Sequence, residues 1–306
     1  MTRIFLTGGA GFIGSAFLNQ ALTEGHEILV YDNLSFGQRR LANVADSRFV
    51  EGDILDEALL GATMRSFAPD VVVHLAAIHF IPYCNEHPFE ASNINAMGTF
   101  RLLRAVRSVP SVSKVFFAST AAVYPAAAGP LSEEVPVGPT DIYGLSKFAG
   151  EEVCRAFQSD TGMPTVVGRF FNAFGPNETN PHLIPAIEEQ LRAGTRVLQL
   201  GNTSTWRDFI HTSDIAAAVH ALLRHDGRGC ETFNVGSGHE HTGMDVVAAF
   251  SSALGERIEV TSDPARMRVS DRPHLLADIG KLTRVTGWRP TITLAEGIRT
   301  LVAAWQ

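Results

Sequence analysis

Thr7-Gly8-Gly9-Ala10-Gly11-Phe12-Ile13-Gly14 follows a short apolar run, Ile4 to Leu6, and opens a stretch, 11 to 24, that reads as a helix. A strand running into spaced glycines and then a helix presents backbone N–H groups and a helix N-terminus to an anion. Gly8 permits the tight turn, Gly11 lets the backbone approach a pyrophosphate, and Gly14 allows close helix packing; the spacing is GxxGxxG rather than GxGxxG. A plain turn explains many isolated glycine clusters, so the weight falls on the order of strand, helix and acid. Asp32 closes the next apolar run, Ile28 to Tyr31, 18 residues after Gly14. There a carboxylate meets the adenosine ribose hydroxyls and repels a 2′-phosphate, so the expected cofactor is NAD rather than NADP. Arg39 and Arg40 oppose that choice but read more simply as surface charge. Asp53, in Gly52-Asp53-Ile54 after the third strand, reads equally as a contact to the adenine amino group and as a turn aspartate.

Outward from this stretch, short apolar runs (Val71 to Leu75, Val115 to Ala118, Val166 to Val167) alternate with helical segments. That is the βαβ rhythm of a buried parallel sheet. The expected fold is α/β, a Rossmann-type doubly wound parallel sheet with a smaller mixed α/β substrate-binding domain. The breakers Gly175-Pro176 and Asn180-Pro181 mark a change of organisation. The cofactor domain is expected over 1–168, rejoined by about 208–235, with 169–306 mainly binding substrate across a shared cleft. A long helix is expected at 88–108, with Arg101, Arg104 and Arg107 as a solvated face.

The 306 residues, 45% hydrophobic and 19% charged, exclude a disordered chain and a small stapled module. A net charge of −7 lacks the basic excess that phosphate-backbone binding needs, so nucleic acid is not an expected partner. Cys84, Cys154 and Cys230 are odd in number and lack CxxC spacing, which speaks against a disulfide framework or structural zinc and fits a reducing cytoplasm. Neither the apolar stretch of a signal peptide nor a membrane-spanning run is read in the chain.

Tyr143-Gly144-Leu145-Ser146-Lys147 places a tyrosine and a lysine one helical turn apart on one face. A free phenol titrates near ~10; a neighbouring ammonium and a cationic nicotinamide favour the phenolate, and a fall of about 3 units corresponds to roughly 4 kcal/mol. Tyr143 is then poised to take a hydroxyl proton. An exposed helix pair is the plain alternative, but Ser119-Thr120 at the end of the fifth strand adds a hydroxyl where α/β sheets place ligand groups.

With these residues in place, the whole chain resembles the extended short-chain dehydrogenase/reductase family, specifically its nucleotide-sugar epimerase branch. The resemblance is carried by Thr7 to Gly14, Asp32-Asn33-Leu34-Ser35, His74-Leu75-Ala76-Ala77, Asn95-Ala96-Met97-Gly98-Thr99, Ser119 to Tyr124 and Tyr143 to Lys147. It continues through Arg169 to Pro176, Arg207-Asp208-Phe209-Ile210-His211, Phe233-Asn234-Val235-Gly236, and Ala277-Asp278 ahead of Gly287-Trp288. It implies that Thr120 bonds the reacting sugar hydroxyl, Tyr143 is the base and Lys147 holds the nicotinamide ribose. Cofactor contacts are implied for Gly8, Gly11, Phe12, Ile13, Gly14, Asp32, Asn33, Ser35, Asp53, Ile54, Leu75, Ala76, Ala77, His79, Asn95 and Lys147. Asn172, Arg207 and Arg268 are implied to grip a substrate diphosphate, a role that suits guanidinium chemistry. Asp271 matches a position at the nucleotide ribose, and Leu183, Leu198 and Leu200 are expected to line the base pocket or the core. Relatives of this fold pair as homodimers, which implies that the 88–108 and Tyr143 helices meet symmetry mates.

Four departures stand out. His79 replaces a frequent lysine beside the cofactor phosphate and reads as structural. Leu275 replaces a bulky aromatic, implying a roomier sugar pocket, and Pro125 replaces a usual glycine. His239-Glu240-His241 lacks a third ligand, so no metal is expected. The implied reaction is C4 epimerisation of a UDP- or other NDP-hexose through a transient 4-ketone. A 4,6-dehydratase needs an acid and a base where Ala121-Ala122 stand, a 4-ketoreductase would favour NADPH, and an NAD(P)-sensing protein would not need the retained Tyr143 and Lys147.

Overall fold

Ile4 and Leu6 pack on one side of the first strand and Phe5 on the other, and the same alternation runs through Ile28/Val30 against Leu29 and Val71/Val73 against Val72. Strands that bury both faces belong inside a sheet covered by helices on both sides. The computed structural model describes residues 1–266 and 272–305. Its chain runs β1 (Arg3–Thr7), α1 (Phe12–Thr23), β2 (Glu27–Asp32), β3 (Phe49–Glu51), α2 (Glu57–Phe67), β4 (Val71–His74), α3 (Ile81–Glu86), α4 (Pro88–Ser92), α5 (Gly98–Val106), β5 (Lys114–Thr120), α6 (Ile142–Thr161) and β6 (Thr165–Phe170). Then follow β7 (Asn172–Phe174), α7 (Leu183–Arg192), β8 (Val197–Leu200), β9 (Trp206–His211), α8 (Thr212–Arg224), β10 (Cys230–Val235), β11 (Glu240–Thr242), α9 (Gly243–Leu254), β12 (Glu259–Ser262), α10 (Gly280–Thr286) and α11 (Leu294–Ala303).

Seven strands form one parallel sheet in the order β10-β6-β5-β4-β1-β2-β3. The order reverses between β1 and β4, the place where an open α/β sheet leaves a crevice beyond its strand C-termini. Helices α1 and α8 cover one face through Phe17, Leu18, Ile215 and Val219. Helices α2, α5 and α6 cover the other through Leu60, Met64, Leu102, Val106 and Cys154. A second, smaller assembly holds the sheet β11-β9-β7 and the pair β12-β8, closed over Ile187, Phe209, Phe250 and Ile298.

Three expectations change in detail. The return to the main sheet is made by α8 and β10, while β9, which contains residue 208, lies in the smaller sheet. The segment expected as one helix over 88–108 is α4 and α5 joined by a π turn at Asn93–Met97. Its arginines are not merely solvated: Arg101 and Arg104 both meet Glu57 of α2 at 3.2 Å, and Arg107 pairs with Asp160 of α6.

Candidate active site

At the C-terminus of β1 the chain must double back beneath the next strand. Gly8 has φ +76°, and a Cβ there would lie 2.6 Å from the Ala76 nitrogen. A Cβ on Gly14 would lie 2.0 Å from the Gly8 carbonyl oxygen, so only glycine lets α1 start this close to the turn. The loop is held by Asp32, whose carboxylate accepts N–H bonds from Ala10 and Leu34, each at 2.9 Å. Burial raises the Asp32 carboxyl above its usual range and those two bonds oppose the rise. A carboxylate with lone pairs to spare at the cleft wall suits ribose hydroxyls and repels a phosphate. Arg39 and Arg40 do not contest it: Arg39 bonds the Ala42 and Val44 carbonyls and Asp46, and Arg40 bonds Gln38. Asp53 accepts from Asn33 at 2.9 Å and from the Leu55 N–H at 2.8 Å, which fixes its side chain at the wall.

The opposite wall is the segment after β4. Leu75, Ala76, Ala77 and His79 line it. Asn95 does not: its amide accepts the Ile78 N–H and donates to the Ile78 carbonyl, both at 2.8 Å, and to Ser146 at 2.9 Å. It is buried and bonded to protein partners, and so holds the wall from behind. His74 carries no role in the sequence reading. Buried and bonded to Thr7 at 2.8 Å and Thr99 at 3.0 Å, it is kept neutral by burial, with Lys147 adding to the effect.

Thr120, Tyr143 and Lys147 meet beyond β5. Thr120 caps the turn after the strand, accepting the Ala122 N–H at 3.1 Å. Asp141 caps α6 through the Gly144 N–H at 2.7 Å, which sets the helix so that Tyr143 lies in its first turn and Lys147 in the second. Burial pushes the Tyr143 phenol well above its ordinary value, and its hydrogen bond with Thr120 pulls the other way. Lys147 is 2% exposed, its Nζ 4.2 Å from the centre of the Phe117 ring, and burial lowers it to about 8.

These groups face one continuous cleft of about 1130 Å³ that also contains Gly8, Gly11, Phe12, Ile13, Gly14, Asn33, Ser35 and Ile54. Ordinary single-ligand pockets run to ~300–1,000 Å³, so this cleft lies above their upper end. On the far side lie Asn172, Leu183, Leu200, Arg207 and Leu275. Asn172 Oδ1 is buried without a partner among the described residues, which suits a ligand donor. Arg207 donates to the Trp206 and Arg272 carbonyls at 2.7 Å each. Of the two places expected for Leu198 it takes the core, one pleat before Leu200, and of the pair only Leu200, at the strand end, reaches the cleft. Arg268 and Asp271 lie outside the described residues. Glu178, Asn180 and His182 carry no role in the sequence, where the stretch after Pro176 shows only the breaker Asn180-Pro181. The structure places Glu178 and His182 on the cleft wall, paired with each other, with Asn180 2.7 Å from His79. Burial, then His182 and Lys147, lower His79 to about 4. Glu240 pairs with His274 at 3.1 Å, and His239 bonds the Ser237 carbonyl at 3.0 Å.

A sheet that turns a glycine loop toward the crevice at its switch point and keeps a hydroxyl, a phenol and an ammonium over the same edge is built as an extended short-chain dehydrogenase/reductase. Residues 4–236 match the family described as NAD dependent epimerase/dehydratase, and the chain belongs to it. It is 33% identical to the UDP-glucose 4-epimerase of Mycolicibacterium smegmatis over 97% of this chain and 96% of that one. It is 32% identical to the dTDP-glucose 4,6-dehydratase of Xanthomonas campestris, over 97% and 91%. Among solved structures, the NAD complex of Thermus thermophilus UDP-glucose 4-epimerase superposes with a TM-score of 0.89 at 32% identity, covering 99% of this chain and 98% of that one.

Proposed function

We propose that the protein is an NAD-dependent nucleotide-sugar 4-epimerase acting on a UDP-hexose or a related NDP-hexose. The observation that carries the reading is Thr120, Tyr143 and Lys147 sharing the cleft with the glycine loop, while the two residues after Thr120 are Ala121 and Ala122. Of the carboxyl groups that line the cleft, Asp141 caps α6 through the Gly144 N–H and Glu178 pairs with His182.

Gly8 to Gly14 and Asp32 would hold the dinucleotide, Lys147 its nicotinamide ribose, and Arg207 and the amide N–H of Asn172 the substrate diphosphate, which leaves the Asn172 Oδ1 for a substrate hydroxyl. Bound NAD supplies a two-electron acceptor that is regenerated within each turnover. Thr120 orients the C4 hydroxyl, and Tyr143 takes its proton and later returns it. Lys147 stabilises the phenolate against the burial that otherwise disfavours it. The diphosphate anchors leave the 4-keto ring able to turn over before reduction on the other face. In this division the seven-stranded unit serves the cofactor and the smaller assembly the substrate.

The test is to incubate the purified protein with UDP-, dTDP- and GDP-hexoses, then denature it. A product of unchanged mass and altered C4 configuration, with NAD(H) released from the denatured protein, is expected. Loss of water, stoichiometric consumption of NAD(P)H, or release of NADP(H) would move the protein to the dehydratase or reductase class.

A homodimer is the second part of the reading. Phe89 is 91% exposed, and Met97 and Phe100 of the α4–α5 segment and Leu145 of α6 are exposed too, whereas Leu103 faces the sheet. Exposed apolar residues grouped on neighbouring helices mark an interface. Light scattering at micromolar concentration should give twice the chain mass, and Phe100→Glu should shift it to the monomer; a wild-type monomer would refute it. A reducing cytoplasm is supported by the free thiols of Cys84, Cys154 and Cys230. Among the described residues no helix is long and apolar enough to cross a membrane.

A further inference from the structure

Directly behind the catalytic groups lies a buried charge that the epimerase mechanism does not use. Glu151 is fully buried, one helical turn after Lys147 on α6. Its Oε1 accepts from the Ser119 hydroxyl at 2.5 Å and from Arg169 Nε at 2.9 Å; its Oε2 accepts from Arg169 Nη2 at 2.7 Å and Arg155 Nη2 at 3.2 Å. Ser119 immediately precedes Thr120 and is paired across the sheet with Arg169. Arg169 in turn lies 4.8 Å over the ring of Tyr124, whose hydroxyl donates to Asn234 at 2.7 Å.

We propose that Glu151 is a positioning residue for proton transfer, acting through Lys147, whose ammonium it keeps charged, and through Ser119, which it ties to α6 so that Thr120 is held in register. This rests on the epimerase reading. The surroundings of Lys147 leave few other sources of support. From its own helix come Glu151 and Cys154, from β4 His74, from the segment after β4 His79, and from β5 the uncharged Phe117 ring. Burial holds the Cys154 thiol well above its ordinary value and both histidines below theirs, so all three are neutral near pH 7. Among the described residues Glu151, one helical turn away on the same buried face, is therefore the anion left to support the Lys147 ammonium, opposed by desolvation and by Arg169 and Arg155, which bind its carboxylate. A purely architectural ion pair is the alternative, since buried pairs often add little net stability.

The chain has three lysines, Lys114, Lys147 and Lys281, so ¹³C-lysine labelling gives three assignable signals. In Glu151→Gln the Lys147 signal should titrate lower than in the wild type by about one unit or more, and Glu151→Asp should largely restore it. Loss of the ammonium as pH rises would then come earlier, so the alkaline limb of kcat/KM should fall by the same interval, about tenfold in rate above it. Should Glu151→Gln fail to fold, Glu151→Met/Arg169→Met replaces the pair with apolar volume, an exchange that proteins tolerate, and is read against Arg169→Met alone, so that the difference between the two isolates the loss of the anion and should again be a lower Lys147 titration. An unmoved Lys147 titration with only a lower melting temperature would overturn the proposal, as would a moved Lys147 with an unmoved alkaline limb. A moved Lys147 in a protein that, wild type included, interconverts no NDP-sugar would support the Glu151–Lys147 link and refute the epimerase reading instead.

Discussion

Replacing Tyr143 with phenylalanine is expected to lower turnover roughly 10²- to 10⁴-fold, about 2.7 to 5.4 kcal/mol of transition-state stabilisation. The phenol is the group in the cleft that both reaches Thr120 and lies one turn from Lys147. Removing one oxygen deletes the proton acceptor and leaves the ring in place, so the fold and the glycine loop are undisturbed. The purified variant should therefore still release NAD(H) when denatured. Near-full activity would end the assignment of Tyr143 as the base; activity lost together with the cofactor would mean that the residue serves binding rather than proton transfer.

Gly14→Ala should abolish cofactor retention. The added methyl would stand 2.0 Å from the Gly8 oxygen and within 2.9 Å of Gly9, all of it backbone that cannot swing aside. Either α1 moves off the turn or the turn opens, and in both cases the N–H groups leave the positions an anion needs. Backbone distortion of this kind costs on the order of 3 kcal/mol, about 10²-fold or more in affinity. Gly129→Ala, where nothing lies within 4 Å of the new methyl, is the matched control and should bind normally. Equal NAD(H) content in the two variants would show that the loop does not hold the pyrophosphate.

What could be read before the fold was known were the features that depend on neighbours in sequence. The two-residue alternation of Ile4, Phe5 and Leu6 and the strand-glycine-helix order announce a buried parallel sheet, and Tyr143 and Lys147 are joined by helical spacing alone. What could not be read depends on residues far apart in the chain. Asn95 sits in a segment that resembles a cofactor-binding motif, yet its amide is taken up by Ile78, which only tertiary packing brings within reach. Leu198 and Leu200 are equivalent by pattern, and only the end of the cleft separates them. Arg101 and Arg104 look like a solvated stripe until α2 brings Glu57 beside them. Glu151 gave no signal at all, because a glutamate one turn after a lysine on a helix is usually a surface pair, and nothing local tells of Arg169 arriving from the next strand.

The placement of β10 on the free side of β6 has a bearing on how the protein is made. A ribosome delivers Phe170 well before Cys230, and at ~5–20 residues per second the interval lasts several seconds. During that time β6 is an open edge of apolar, two-sided strand, the kind of template that recruits neighbouring chains. The last partner of the sheet arrives only after β7, β8, β9 and α8 have emerged, so the nascent protein cannot finish one half before beginning the other. A release of the chain soon after Phe170 would yield a sheet without its closing strand, and overproduction of such a fragment should give aggregates where the full chain does not.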